Sequence, residues 1–512
     1  MKFDKRQILK NVGSSWFSLG VNVVTGLFLS PFILHHLGDE AFGLWILIYS
    51  VTGYYGLFDL GIRSSIIRYV AKYSATGQDE EMNLLVNTAL FSYAGIGIVA
   101  TVVTSIIAYY VNSIFRIPAE FVGTARILVL MVGGSVSLGF PLGVFGGILS
   151  GLQRFYLLNS INIVSTILRT VLIIVALQRG GGLLTVAVIT VILPLLNGVV
   201  NAVAAFPLLK LRIGMQYVKR STLRMIAGYG SATLLIIVAS RLRFKTDAMV
   251  IGTFVSAAAV TYFTIGSRLM DYSIDLVSGL AQLFIPMSSQ SQAKGDLEGL
   301  QKILLLGNRA CSFIIFPITA VFTILGKSVI EAWVGAKYVP ASFPVLLILL
   351  YPTTLLCAQS SSGRVLWGMA KHHGWAWVVL LEGICNLILS IILVRPYGII
   401  GDAIGTAIPL SITMIFLLPP YVCRLLGIGL RTYVYRSFAL PLALCIPFVG
   451  ALLLLQRWFV PHHIGQLLIQ LSIGGIVYGI ALAWAYSSGR AFDVGKLGTG
   501  VKDPIVMALE EG

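Results

Sequence analysis

"LLIIVASRLRFKTDAMVIG", residues 234–252, is an apolar run broken by Arg241, Arg243, Lys245 and Asp247. Two readings compete: a polar loop between two membrane helices, or a charged cluster in the middle of one. A helix that starts near residue 226 and stops at Ala239 has roughly fifteen residues, about 22 Å at 1.5 Å per residue, against a hydrocarbon core of about 30 Å. That is too short to span. A loop would also place three cations on the outer side of the membrane, against the charge bias described below. The stretch is therefore read as the centre of one helix over 226–252.

The rest of the chain has the same character. Of its 512 residues, 57% are hydrophobic and 11% charged, where soluble domains carry about 25% charged residues. Apolar runs of roughly 18 residues or more recur from end to end, too long for barrel strands of about ten. They predict an all-α integral membrane protein with about fourteen transmembrane helices, at 12–34, 42–62, 84–111, 121–149, 157–178, 183–208, 226–252, 260–286, 302–325, 341–362, 374–394, 398–421, 437–456 and 465–486. An even count puts both termini on one side. With the N-terminus cytoplasmic, 23 of the 36 Lys and Arg residues fall in inner segments, 6 in outer loops and 7 inside helices. This is the positive-inside distribution. It assigns the net charge of +16 to a membrane surface, with no nucleic-acid partner.

The basic start "MKFDKRQILKNVGSSW" has no small-residue cleavage site and reads as part of an uncleaved first helix. The five cysteines are scattered through apolar runs without metal spacing, and the three histidine pairs sit at helix ends. No P-loop, HExxH or nucleophile elbow occurs. Neither a metal nor a cofactor is expected.

An internal repeat supports the helix reading. "ATGQDEEMNLL" (75–85) and "AKGDLEGLQKI" (293–303) align at an offset of 218, which pairs Gly77 with Gly295 and Tyr54 with Tyr272. The same offset maps the first helix onto 234–252, so the charges align with a helix centre. The expected organisation is an N-terminal lobe over 1–210 and a C-terminal lobe over 211–423, six helices each. An appended helix pair over 424–486 and a cytoplasmic tail over 487–512 complete it. Parallel repeats of this kind mark transporters, whose substrate sites lie near the midplane.

Charges in the bilayer centre cost about 2.5–3.5 kcal/mol each on insertion scales and so must face protein or a wet cavity. Arg241 and Lys245 share one helical face, and Arg243 and Asp247 another. With Asp247 neutralising one neighbour, two positive charges remain. Arg268 is a further cation for the same cavity; with Asp271 and Asp275, spaced three and four apart on one face, it also reads as a salt-bridge ladder, the two carboxylates serving for coupling or charge pairing. Asp59 and Arg63 read as a pair near the interface. Arg169, seven residues after Asn162, and Glu382, four before Asn386, are further cavity candidates. Surplus cations in a membrane cavity suit a phosphate, which the Arg fork binds through two oxygens. Gly139, Gly143, Gly147 and Gly151 form a smooth face for close helix contact. An alternative of another class is a polytopic membrane glycosyltransferase or polymerase using Asp39 and Glu40 of "GDEAFG".

The stretch "LGDEAFGLWILIYSVTGYYGLFDLGIRSSIIRYVAKYSATGQ" (37–78) resembles the polysaccharide flippases of the multidrug/oligosaccharidyl-lipid/polysaccharide exporter superfamily. The carrying features are "FGLW", a helix ending in "DLG", then "RYVA" and a Gly-containing turn. "NLILSIILVRPYGIIGDAIGTAI" (386–408) looks like that family's segment joining helices eleven and twelve. The resemblance implies a MATE/MurJ-like fold and a Wzx-type flippase. Such a protein moves an undecaprenyl-diphosphate-linked oligosaccharide across the bacterial cytoplasmic (inner) membrane by alternating access around a cationic central cavity. It also implies a polysaccharide polymerase and assembly proteins as further partners beside the lipid bilayer. Lipid II flippases, with the same helix count, are the alternative within the superfamily.

Overall fold

In hydrocarbon every backbone N–H and C=O must find its partner within the protein, which leaves long helices as the solution for sequences of this hydropathy. The computed structural model describes residues 5–491 other than 210 and 462, and residue 493. No strand occurs among the described residues. The helices are α1 (Lys5–Leu37), α2 (Asp39–Gly53), α3 (Ile62–Thr76), α4 (Asp79–Ile114), α5 (Val122–Gly151), α6 (Phe155–Gln178), α7 (Leu183–Ala205), α8 (Arg220–Phe244), α9 (Asp247–Phe254) and α10 (Ala257–Ala281). They continue with α11 (Phe284–Ala293), α12 (Leu297–Val334), α13 (Val339–Ala358), α14 (Ser360–Gly368), α15 (His372–Ile412), α16 (Leu418–Leu426), α17 (Leu430–Val434), α18 (Leu440–Trp458) and α19 (Ile464–Ser487).

Among the described residues, eleven helical stretches are long and apolar enough to cross a membrane. One of them, Gly374–Leu426, takes in both of the helices expected at 374–394 and 398–421. The turn between those two is made at Gly398, with φ 57° and ψ −138° inside α15. The charged helices α8, α9 and α10 are not among the eleven.

The element order repeats at the offset read from the sequence. The helices α4 and α12 begin 218 residues apart, at Asp79 and Leu297. Gly77 and Gly295, which precede them, both have φ of +67°. That left-handed conformation costs an L-residue about 1–2 kcal/mol, so glycine recurs there for a steric reason. Gly180 and Gly398, also 218 apart, both have positive φ. The short helices α3 and α11 occupy corresponding places.

Two expected helices are broken well inside their spans, and those expected at 260–286 and 341–362 are cut nearer their ends, at 282–283 and at Gln359. The helix expected at 42–62 starts at Asp39 and loses α-geometry at Gly53. It passes through a 3₁₀ segment, Tyr54–Asp59, and ends at Leu60 (φ 47°) and Gly61 (φ 74°) before α3 begins. The helix expected at 226–252 is interrupted at Lys245 and Thr246, so the charges lie at a junction of two helices and not within a continuous one.

The chain packs as two compact units whose boundary in sequence lies between Thr261 and Tyr262. In the first, α5 packs on α4 and α7, α1 on α6, and α8 on α3 and α4. Its core includes Ile66, Val70, Leu85, Val86, Val144, Ile148 and Leu149. Lipid gives helices no hydrophobic reason to associate, so small residues and van der Waals fit decide. A Cβ on Gly151 would stand 2.8 Å from Val70 and one on Gly147 3.0 Å from Ile66, whereas Gly139 and Gly143 meet nothing within 4 Å. Only the last two glycines of that face lie under α3. In the second unit, α12 packs on α13, α14 and α18, and α18 on α19. A buried network of Asn308, Ser362, Tyr433 and Gln359 ties α12 to α14 and α17.

Candidate functional site

The two helix breaks of the first unit meet each other. At the end of α8, the Arg241 carbonyl accepts from the Lys245 N–H (2.9 Å) and the Leu242 carbonyl from the Thr246 hydroxyl (2.8 Å). Carbonyls that a helix end leaves open are thus closed locally. From the other break, the Tyr54 hydroxyl stands 2.6 Å from Thr246 Oγ1 and 3.4 Å from the Arg241 carbonyl. The Arg241 guanidinium covers Gly56 in the 3₁₀ segment, where an added Cβ would come within 2.8 Å of Nη2. Only a residue without a side chain lets the arginine lie there.

The charges follow the helix dipoles. Arg241 and Arg243 occupy the last turn of α8, and Asp247 the first turn of α9, the signs that each terminus favours. Arg243 is buried, and both it and Asp247 are engaged with neighbours. Arg241 and Lys245 are half-buried, and among the described residues their side chains make no ion pair and no hydrogen bond.

A second polar site lies in the same unit. Asn22 of α1, Asn162, Ser165, Thr166 and Arg169 of α6, and Leu193, Pro194 and Asn197 of α7 line a cavity of about 280 Å³. The α6 residues recur at three- and four-residue spacing and make one stripe. The Thr166 hydroxyl donates to Asn22 Oδ1 (3.2 Å), and Asn22 Nδ2 to the Ser18 carbonyl (2.8 Å). Pro194 has no N–H, so the Thr190 carbonyl lacks its usual helical partner. Arg169 Nε is buried without a hydrogen-bond partner among the described residues. Tyr49 of α2 interacts electrostatically with this guanidinium. Sequence reasoning found Asn162 and Arg169 but missed Asn22, Asn197 and Tyr49, since single polar residues on three separate helices give no local pattern.

Asp59 Oδ1 accepts from the Arg63 N–H (3.3 Å) and from the Tyr93 hydroxyl, so this carboxylate closes the start of α3 and ties it to α4. In the second unit, the Arg268 guanidinium stacks 5.8 Å from the Tyr272 ring centre. Asp271 is half-buried and Asp275 exposed, and both are engaged. Glu382 is buried one turn before Asn386, whose Oδ1 accepts from Ser390 (3.1 Å) and Thr406 (3.2 Å). Asp39 and Glu40 stand in the first turn of α2, where acidic residues match the helix dipole. The Asp39 carbonyl accepts from Thr261 (2.6 Å).

The chain is similar to known proteins over most of its length. It is 21% identical to the uncharacterized membrane protein EpsK of Bacillus subtilis over 420 residues, covering 80% of this chain and 81% of that protein. It is 19% identical over 420 residues to a putative O-antigen transporter of Shigella flexneri, covering 78% of this chain and 94% of the transporter. Its fold matches that of the lipid II flippase MurJ in an inward closed conformation, with a TM-score of 0.74 and 17% identity over 94% of this chain and 99% of that one. Residues 36–343, more than half of the chain, match the family described as polysaccharide biosynthesis protein, and the chain belongs to that family.

Proposed function

We propose that the chain is a flippase that moves a diphosphate-linked oligosaccharide lipid across the bacterial cytoplasmic membrane for surface polysaccharide synthesis. The observation that carries this reading is the pair Arg241 and Lys245, half-buried at the α8–α9 junction and without an anionic partner among the described residues. Two cations kept out of bulk water favour a doubly charged anion, and a guanidinium offers a diphosphate its fork. Discontinuous membrane helices supply such sites because their ends carry partial charges. Arg169, with the carboxamides around it, offers a second polar ground suited to phosphate or sugar hydroxyls. Alternating exposure of these groups to the two leaflets would carry the head group across, with Asp247, Asp271, Asp275, Asp59 and Glu382 as candidates for coupling or charge pairing. Both termini are proposed to be cytoplasmic, and a polysaccharide polymerase is the proposed consumer of the translocated lipid. On this reading the protein is a transporter and not an enzyme.

The test is translocation of a fluorescent undecaprenyl-diphosphate oligosaccharide in proteoliposomes. Arg241→Ala and Lys245→Ala should each slow it about tenfold or more, since a lost charge-assisted bond corresponds to about 1.5–3 kcal/mol, with insertion unchanged. Wild-type rates in both variants would remove the site. The fold likeness to a lipid II flippase supports a second reading, which predicts a higher rate with lipid II than with longer glycans. The glycosyltransferase reading instead requires Asp39→Asn or Glu40→Gln to abolish sugar transfer.

A further inference from the structure

The segment 211–220, which leads from α7 into α8, is fastened to the first three turns of α4. The Arg212 N–H donates to Asn83 Oδ1 (2.8 Å), Asn87 Nδ2 to the Arg212 carbonyl (2.9 Å), and the Gly214 N–H to Asn87 Oδ1 (2.9 Å). The Lys219 N–H reaches Thr88 Oγ1 (3.3 Å). Asn83, Asn87 and Thr88 are buried, so these bonds are protected from water. With its backbone turned inward, the segment turns its side chains outward. Met215 is 77% exposed, Ile213 and Val218 are also exposed, and the exposed Arg212, Lys219, Arg220 and Arg224 flank them in sequence.

Among the described residues, none covers these three apolar side chains. A chain in water would gain by covering them, and a rigid fastening holds them out instead. On α4 the acidic Asp79, Glu80 and Glu81 stand in the first turn, where they match its dipole. Arg68 and Lys72 of α3 add further cations, both exposed. Apolar residues flanked by basic ones at a membrane surface have the composition of an interfacial anchor, in which the apolar groups enter the acyl boundary and the cations meet anionic headgroups.

We propose that the 211–220 strap is a docking surface for anionic phospholipid, with Ile213, Met215 and Val218 inserted among the headgroups and Arg212, Lys219 and Arg220 on their phosphates. The strap would then hold the connection between the two repeats at a fixed depth in the membrane.

The experiment uses the full chain with Cys385→Ser, which removes the one of the five cysteines that is not buried, and a spin label at Met215→Cys, in nanodiscs of phosphatidylcholine with or without phosphatidylglycerol. The label should be several-fold more accessible to dissolved oxygen than to a water-soluble nickel chelate when phosphatidylglycerol is present. Unfolding should also shift upward in temperature with that lipid. Arg212→Gln/Lys219→Gln/Arg220→Gln should lose the lipid-dependent shift. So should Asn83→Ala/Asn87→Ala, which keeps every charge but releases the strap. A label at 215 that reads water in both lipids, as it would if the strap served a soluble protein partner, overturns the proposal. A temperature shift unchanged in both multiple variants overturns it as well.

Discussion

Gly56 and Arg241 show how one missing side chain places another. The guanidinium rests where a Cβ on residue 56 would stand 2.8 Å from Nη2. Gly56→Ala removes no charge and meets only the far end of a flexible side chain, so the fold should tolerate it within about 1 kcal/mol. The expected outcome is a translocation rate lowered toward that of Arg241→Ala, with little change in unfolding temperature. The double variant Gly56→Ala/Arg241→Ala should be no slower than Arg241→Ala alone, because both changes act on one group. Full translocation by Gly56→Ala would mean that the position of the guanidinium is immaterial. As candidates, Arg241, Lys245 and Arg169 were legible in the sequence because an ionised residue inside an apolar run is rare and expensive. Gly56 and Tyr49 were not, since their role lies in what comes to rest beside them.

At the scale of elements, helices and the repeat were legible, and the helix breaks were not. Hydropathy reports how long a stretch stays apolar, and the helix expected at 42–62 stays apolar across its interruption, while the charges at 241–247 fit a loop and a cluster within one helix alike. The breaks are visible only in their partners, Tyr54 with Thr246 and Arg241. Tyr54→Phe removes the hydroxyl from that contact and should cost about 1 kcal/mol, the usual net value of one hydrogen bond. Its signature should be local: faster amide exchange over 241–247, with exchange in α4 and α5 unchanged. Uniform loss of protection across the first unit would show that the contact holds more than the junction. The two equivalent glycines offer a matched test of the repeat. Gly77→Ala and Gly295→Ala both force φ of +67° on an L-residue, and each should destabilise by about 1–2 kcal/mol. Thermal unfolding that drops for one and not for the other would break the structural equivalence of the two turns.

At the scale of the whole molecule, sequence repeat and packing divide the chain differently. The repeat begins its second copy near α8, yet α8 packs on α3 and α4 and α9 on α2, inside the first unit. Packing follows complementary surfaces and not the order in which a repeat was copied, so periodicity could not reveal this. The appended pair α18–α19 poses the opposite question, since no repeat constrains it. Its attachment within the second unit runs along α12. Tyr478 donates to the Phe313 carbonyl (2.8 Å) and Gln456 Nε2 to the Ile324 carbonyl (3.1 Å), over a shared core of Leu325, Phe448 and Leu452. At one end Arg309 of α12 closes the attachment. Its Nε donates to the Arg436 carbonyl (2.8 Å), and its Nη1 faces the carbonyls of Arg490, Ala491 and Asp493 at 3.1, 3.1 and 2.9 Å. A single buried guanidinium thereby ties α12 to the segments before α18 and after α19. Arg309→Met keeps the length of the side chain and removes every donor. Hydrogen bonds to a charged group contribute about 1.5–3 kcal/mol, and the orphaned carbonyls add their own cost. The expected result is a protein that still inserts but is cleaved near residue 490 by limited proteolysis many times faster than the wild type. Arg309→Lys, with three donors and no fork, should fall between the two. Equal cleavage rates in all three proteins would show that the α12 packing alone holds the pair in place.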